Sequence, residues 1–110
     1  MDNIVITGTD ALGESEREQA DKIIFASYEK IKRKTKTDFL FKVDIKIPAK
    51  DRENLNKRKQ YSVHATISGA VRKFEADSVD WDLNKALHIA ITKIENEVEH
   101  TFHTSEQHRQ

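Results

Sequence analysis

Five cations fall within seven residues at Lys30, Lys32, Arg33, Lys34 and Lys36, and three more are consecutive at Lys57, Arg58 and Lys59. Ammonium and guanidinium groups at that density can neutralise phosphates and displace the counterions condensed on a polyanion, which is the chemistry of nucleic-acid binding. If the two groups were adjacent they would form one patch of about eight cations, and engaging five phosphates would give a slope of about −4 in log affinity against log salt. The same residues also have an ordinary structural use, since lysines at a helix C-terminus complement its dipole and a charged loop is solvated.

Their placement is more telling than their number. The chain of 110 residues has no net charge, yet residues 30–73 hold fourteen Lys and Arg against four Asp and Glu, and the remainder holds five against fifteen. The neutral total therefore hides a central segment with an excess of ten positive charges and flanks with an equal negative excess. Segregated charge of this kind suits a polyanionic partner such as RNA.

Other reactive side chains form weaker patterns. His88, His100 and His103 could ligate a metal, but there is no cysteine to complete such a set, and a metal site is not expected. Tyr61 and Trp81 could stack on bases, but Tyr61 belongs to the apolar set of its strand and Trp81 opens a helix at a core edge, so both are assigned to packing. His64 belongs with Thr66 and Ser68 on an open sheet face, where solvent is its expected neighbour. No glycine-rich phosphate loop, nucleophile with an adjacent base, or recognisable pair of carboxylates is present, so the sequence is not read as an enzyme and no cofactor or small-molecule substrate is implied.

The elements that would position these residues follow from periodicity. Asn3–Thr7 is a short β-branched run closed by Gly8, a first strand expected at a sheet edge. From Glu14 to Lys34 no Gly or Pro interrupts, and Ala20, Ile24, Ser27, Tyr28 and Ile31 recur on one helical face, with acids at the start and bases at the end as the helix dipole favours. Phe39, Phe41, Val43, Ile45 and Ile47 alternate with Leu40, Lys42, Asp44 and Lys46, which predicts a half-buried strand ending at Pro48. Residues 49–59 are polar and read as an exposed loop. Tyr61, Val63, Ala65 and Ile67 define a third strand, and Ser68-Gly69 a turn into a fourth over Val71–Asp77. A second helix begins near Asp80–Asp82 and carries Leu83, Leu87, Ala90, Ile91, Ile94, Val98 and Phe102 on its apolar face.

These elements predict an α+β fold of order βαβββα, an antiparallel-rich four-stranded sheet with both helices on its apolar face. With 36 % apolar and 35 % charged residues the chain suits one core, assigned to a single domain over residues 1–103 with a disordered polar tail over 104–110. No stretch approaches the roughly 18 apolar residues of a membrane span, and no basic or apolar leader opens the chain, so a cytoplasmic protein without membrane partners is expected.

In this order the segments resemble the family of ribosome hibernation-promoting factors and ribosome-associated inhibitor A proteins, also called sigma-54 modulation proteins. Ile6-Thr7-Gly8 is similar to the family's opening strand and turn, Tyr28-Glu29-Lys30 to its Leu-Glu-Lys step late in helix one, and Phe39–Ile47 to its long second strand. Val63-His64-Ala65-Thr66-Ile67, Phe74-Glu75-Ala76 and Asp82-Leu83-Asn84-Lys85-Ala86-Leu87 through Thr92-Lys93-Ile94-Glu95 resemble its third strand, fourth strand and last helix. The resemblance implies a fold like that of double-stranded-RNA-binding domains. It also implies a stress-response function, binding to rRNA in the messenger and transfer-RNA channel of the small subunit to silence translation. Basic side chains on both helices carry that contact in the family; here Lys30 and Lys93 match, whereas Ile24, Ser27, Asn96, Glu99 and His100 stand at positions that are commonly basic. The implied RNA-binding set is Lys30, Lys32, Arg33, Lys34, Lys36, Lys57, Arg58, Lys59 and Lys93. Longer family members add a C-terminal dimerisation domain that does not follow here, so a monomer is expected. A protein-interaction or self-associating module of the same fold, its acidic last helix meeting a basic partner, is the alternative.

Overall fold

The computed structural model describes residues 3–47, 60–69 and 73–108, with side chains of the last helix described as far as residue 101. Strand β1 (Ile4–Thr7) leads through a 3-10 turn (Thr9–Ala11) into helix α1 (Glu14–Thr35). Strands β2 (Leu40–Lys46), β3 (Tyr61–Ser68) and β4 (Phe74–Asp80) follow, and helix α2 (Leu83–His108) closes the order. The sheet runs β1-β2-β3-β4, with β1 parallel to β2 and the other pairs antiparallel. The expected α+β arrangement is therefore present, and β1 is indeed an edge strand.

One side of the sheet is apolar because alternation puts every second side chain there. Phe41, Val43, Ile45, Val63, Ala65, Ile67, Phe74 and Ala76 are buried beneath Ala20, Ile24, Tyr28 and Ile31 of α1 and Leu87, Ala90, Ile94 and Val98 of α2. Phe39 and Ile47 extend the β2 pattern and are buried too, Phe39 with its ring centroid 4.9 Å from that of Tyr28. Gly8 makes the sharp exit from β1 possible. Its φ is +85°, and a β-carbon there would lie 1.8 Å from the Ile45 carbonyl oxygen, so only glycine lets the turn close against β2.

Helix ends are fixed locally. Glu16 reaches back to accept the Gly13 N–H at 3.0 Å, half of a capping box. Asp82 caps α2, accepting the Asn84 N–H at 2.9 Å, as the acids before Leu83 suggested. At the other end of α1, Lys36 adopts the left-handed conformation (φ 56°, ψ 24°) and its N–H bonds the Lys32 carbonyl at 2.8 Å.

Three elements differ from the sequence reading. The fourth strand is Phe74–Asp80 and ends three residues beyond the expected Asp77, because its inward set is Phe74, Ala76 and Ser78; the expected start at Val71 lies outside the described residues. Ser78 is tolerated in the core by donating its hydroxyl to the Ala86 carbonyl. Trp81, assigned to packing, is 49 % exposed, since it occupies the two-residue turn between β4 and α2. Finally, α2 continues to His108, five residues beyond the expected end of the domain, since nothing between Thr104 and His108 is Gly or Pro and an established helix propagates at one hydrogen bond per residue.

Candidate nucleic-acid interface

The two helices lie side by side and run in the same direction. Asn84 Nδ2 donates to Gln19 Oε1 at 3.0 Å, Lys30 Nζ lies 3.4 Å from Glu95 Oε1, and Lys34 Nζ lies 3.0 Å from Glu99 Oε1. Each pair is separated by 65 residues, so the helices keep one register over about four turns. The α1 cations are thereby divided in two. Lys30 and Lys34, three and four residues from their neighbours on the flank that faces α2, meet its carboxylates. Glu95 is held further by the Ser27 hydroxyl, which donates to Oε2 at 2.9 Å. Part of the cluster singled out in the sequence is therefore drawn toward the carboxylates of α2, in pairs that are themselves exposed and weak.

The rest of that cluster faces away. Lys32 lies over the Tyr28 ring, 5.8 Å from its centroid, and 3.7 Å from the exposed Asp38 carboxylate. Such an exposed pair is weak and leaves the ammonium available to a phosphate. Arg33 and Lys36 are exposed and have no carboxylate partner among the described residues. Lys32, Arg33 and Lys36 thus form the cationic end of α1.

Lys57, Arg58 and Lys59 lie outside the described residues, but the two ends of their loop are placed. Lys46 pairs with Ser62 and Tyr61 with Asp80 at one end of the sheet, where the Tyr61 hydroxyl donates to Glu16 near the start of α1 at 2.7 Å. Leu40 pairs with Ser68 at the other end, beside the end of α1. Strand β2, seven residues or about 23 Å long, separates the end of α1 from the point where the chain leaves the described residues toward Lys57. Lys93 is separate again. It sits on the α2 flank that faces β4, and its Nζ donates to the Asp77 carbonyl at 2.9 Å.

The open face of the sheet carries a cluster that sequence periodicity located but did not connect. Asp44, His64 and Asp77 are cross-strand neighbours in one row, and Glu75 is diagonal to His64. His64 Nδ1 bonds the Asp77 carboxylate, and Nε2 lies 3.3 Å from Glu75. The bond to Asp77 raises the imidazole above its ordinary pKa, outweighing the opposing effect of burial, and the charges of Asp77 and Glu75 add to the rise. His64 thus has carboxylates, where solvent alone was expected. Tyr61 is buried as expected, and burial, then its bond to Glu16, push its hydroxyl up to about 12. Among the described residues no group of three or more His, Asp or Glu is placed to hold a metal ion, and no helix is long and apolar enough to cross a membrane.

No family model matches the sequence, and no curated protein matches it. A solved structure does. The fold is similar to that of the Protein Y N-terminal domain of Thermus thermophilus, with a TM-score of 0.61 and 14 % identity over 89 % of this chain and 93 % of that one. At that identity the likeness is one of fold, spanning nearly the whole of both chains.

Proposed function

We propose that this protein is a ribosome-associated RNA-binding factor that occupies the messenger and transfer-RNA channel of the small subunit and silences translation without catalysis. The observation that carries the reading is the cationic end of α1, where Lys32, Arg33 and Lys36 project away from the carboxylates of α2. Two further facts support it. The fold is that of the Protein Y N-terminal domain, a member of the family that the sequence segments resemble. The excess positive charge of residues 30–73 is also of the sign that rRNA attracts. Because Lys30 and Lys34 are paired with Glu95 and Glu99, the contact is narrower than the nine residues read from the sequence and is centred on one helix end.

Sedimentation with purified small subunits at two salt concentrations tests this. Wild type should pellet with the subunits at low salt and be released at high salt, and Lys32→Glu/Arg33→Glu/Lys36→Glu should remain in the supernatant at both. Failure of wild type to co-sediment at low salt overturns the proposal. Glu97 of α2 is exposed and has no cation paired with it among the described residues, which favours a second reading, in which the last helix receives a basic protein partner or another copy. Light scattering that finds only monomer at high concentration and low salt excludes the self-associating form.

A further inference from the structure

Phe25 stands out among the phenylalanines whose side chains are described. Phe39, Phe41 and Phe74 are at most 3 % exposed, whereas Phe25, in the middle of α1, is 43 % exposed. It borders an open hollow of about 400 Å³ lined by Asp21, Lys22, Phe25 and Ala26. Burial does not account for a large aromatic ring at this position.

Its neighbours on the helix surface give it a context. Lys32 follows seven residues later, almost two full turns, so the two share one line along the helix about 10 Å apart. Lys22 precedes Phe25 by three residues on the adjoining line, and Arg33 and Lys36 lie beyond Lys32. Asp21 and Glu29, each four residues from Phe25, Glu18, seven residues before it, and Asp38, 3.7 Å from Lys32, carry the opposing charge. Glu18 and Asp21 lie on the N-terminal side of Phe25, and the cations Lys32, Arg33 and Lys36 are gathered on its C-terminal side. Lys22 borders the groove toward α2 that Glu95 also lines, whereas Phe25 and Lys32 lie on the side of α1 away from the carboxylates that engage Lys30 and Lys34. Trp81, the other well-exposed aromatic among the described residues, is set instead among Glu16, Asp80 and Asp82, where a phosphate chain would be repelled.

We propose that Phe25 is a stacking platform for an unpaired RNA base, with Lys32, Arg33 and Lys36 beyond it taking the adjoining phosphates. An aromatic face accepts any base, while ammonium and guanidinium groups along the same line follow the backbone, which is the chemistry of single-strand binding without sequence preference. This deepens the ribosomal reading by naming the ligand as single-stranded RNA and the approach as the outer face of α1.

The test is fluorescence anisotropy with a labelled oligouridylate, using an RNA hairpin duplex as comparison. Phe25→Ala should weaken oligouridylate binding about 5- to 150-fold, the range of one lost base–aromatic stack, without changing the salt slope. Phe25→Tyr should bind as wild type, and Phe25→Leu should stay weak because it keeps apolar area but has no ring. Hairpin binding should be indifferent to all three. Since Phe25 is exposed, the variants should unfold at the wild-type temperature, which circular dichroism checks. The proposal is overturned if Phe25→Ala binds like wild type, if Phe25→Leu binds as well as Phe25→Tyr, or if wild type ignores the oligonucleotide. Co-sedimentation of wild type with small subunits alongside any of those results overturns the stacking role alone. A Phe25-dependent affinity for oligouridylate without co-sedimentation upholds it and removes the ribosome.

Discussion

Replacing Lys36 by glycine should make the protein more stable and a poorer ligand for RNA. Lys36 closes α1 in the left-handed region, with φ 56° and ψ 24°. A β-carbon in that conformation costs about 1–2 kcal/mol, a penalty that glycine escapes. Glycine gives back about 0.4–1 kcal/mol through the greater freedom of its unfolded chain, and loss of a cation near the helix carbonyls removes about 0.3 kcal/mol more. A net gain of about 0.5 kcal/mol is left. At about 2.1 cal/mol/K per residue the unfolding entropy of this chain is about 0.23 kcal/mol/K, so Tm should rise by about 2 °C. The N–H that bonds the Lys32 carbonyl is kept, so the helix end is not otherwise altered. Lys36→Ala separates the two contributions, because it removes the charge without relieving the backbone and should not raise Tm. Differential scanning calorimetry measures both variants. In the same preparations, the slope of log affinity for single-stranded RNA against log salt should become shallower by about 0.7, the share of one phosphate contact. A lower Tm for Lys36→Gly refutes the strain at the cap, and an unchanged slope refutes the assignment of Lys36 to the RNA contact.

Three other outcomes follow from particular contacts. Gly8→Ala places a methyl group 1.8 Å from the Ile45 carbonyl oxygen, and urea unfolding should report a loss well above the roughly 1 kcal/mol of a simple glycine effect. Glu95→Gln/Glu99→Gln frees Lys30 and Lys34 while leaving Ser27 an acceptor, so RNA binding should tighten at low salt and its slope should steepen by about 1.4. His64 has a folded pKa above its unfolded value, so its contribution to stability is complete below about pH 6.5 and is lost as pH rises through the raised folded pKa. Asp77→Asn removes the largest cause of the shift, and NMR titration of the His64 ring should then show a lower pKa and stability should depend less on pH.

Much of the architecture is visible in periodicity alone. Every residue assigned to the apolar faces of α1, β2 and β3 is buried, because alternation and helical spacing record which side of an element meets the core. β4 was harder to bound because its third inward residue is Ser78, whose hydroxyl becomes compatible with burial only once the Ala86 carbonyl is in place. Trp81 misled for the opposite reason. An aromatic residue next to a helix start resembles a core contact, and only the tight turn after Asp80 turns it outward. The interface itself was half legible. Sequence locates the cations of α1 and the acids of α2, but which of them meet depends on the parallel arrangement of the helices and their 65-residue offset, a tertiary fact with no local signature. The same limit applies to His64, whose three carboxylate neighbours come from β2 and β4 through strand register.

The hydrogen bond from Lys93 to the Asp77 carbonyl has a consequence for how copies of the protein meet. β4 borders the sheet, and a border strand offers its unpaired peptide groups to any extended chain that comes near, including another copy of itself. The ammonium occupies one of those carbonyls in the middle of the strand and sets a solvated charge where an incoming strand would have to lie. Addition of a fifth strand would have to displace that ammonium, so the side chain protects the protein from polymerising through its own backbone.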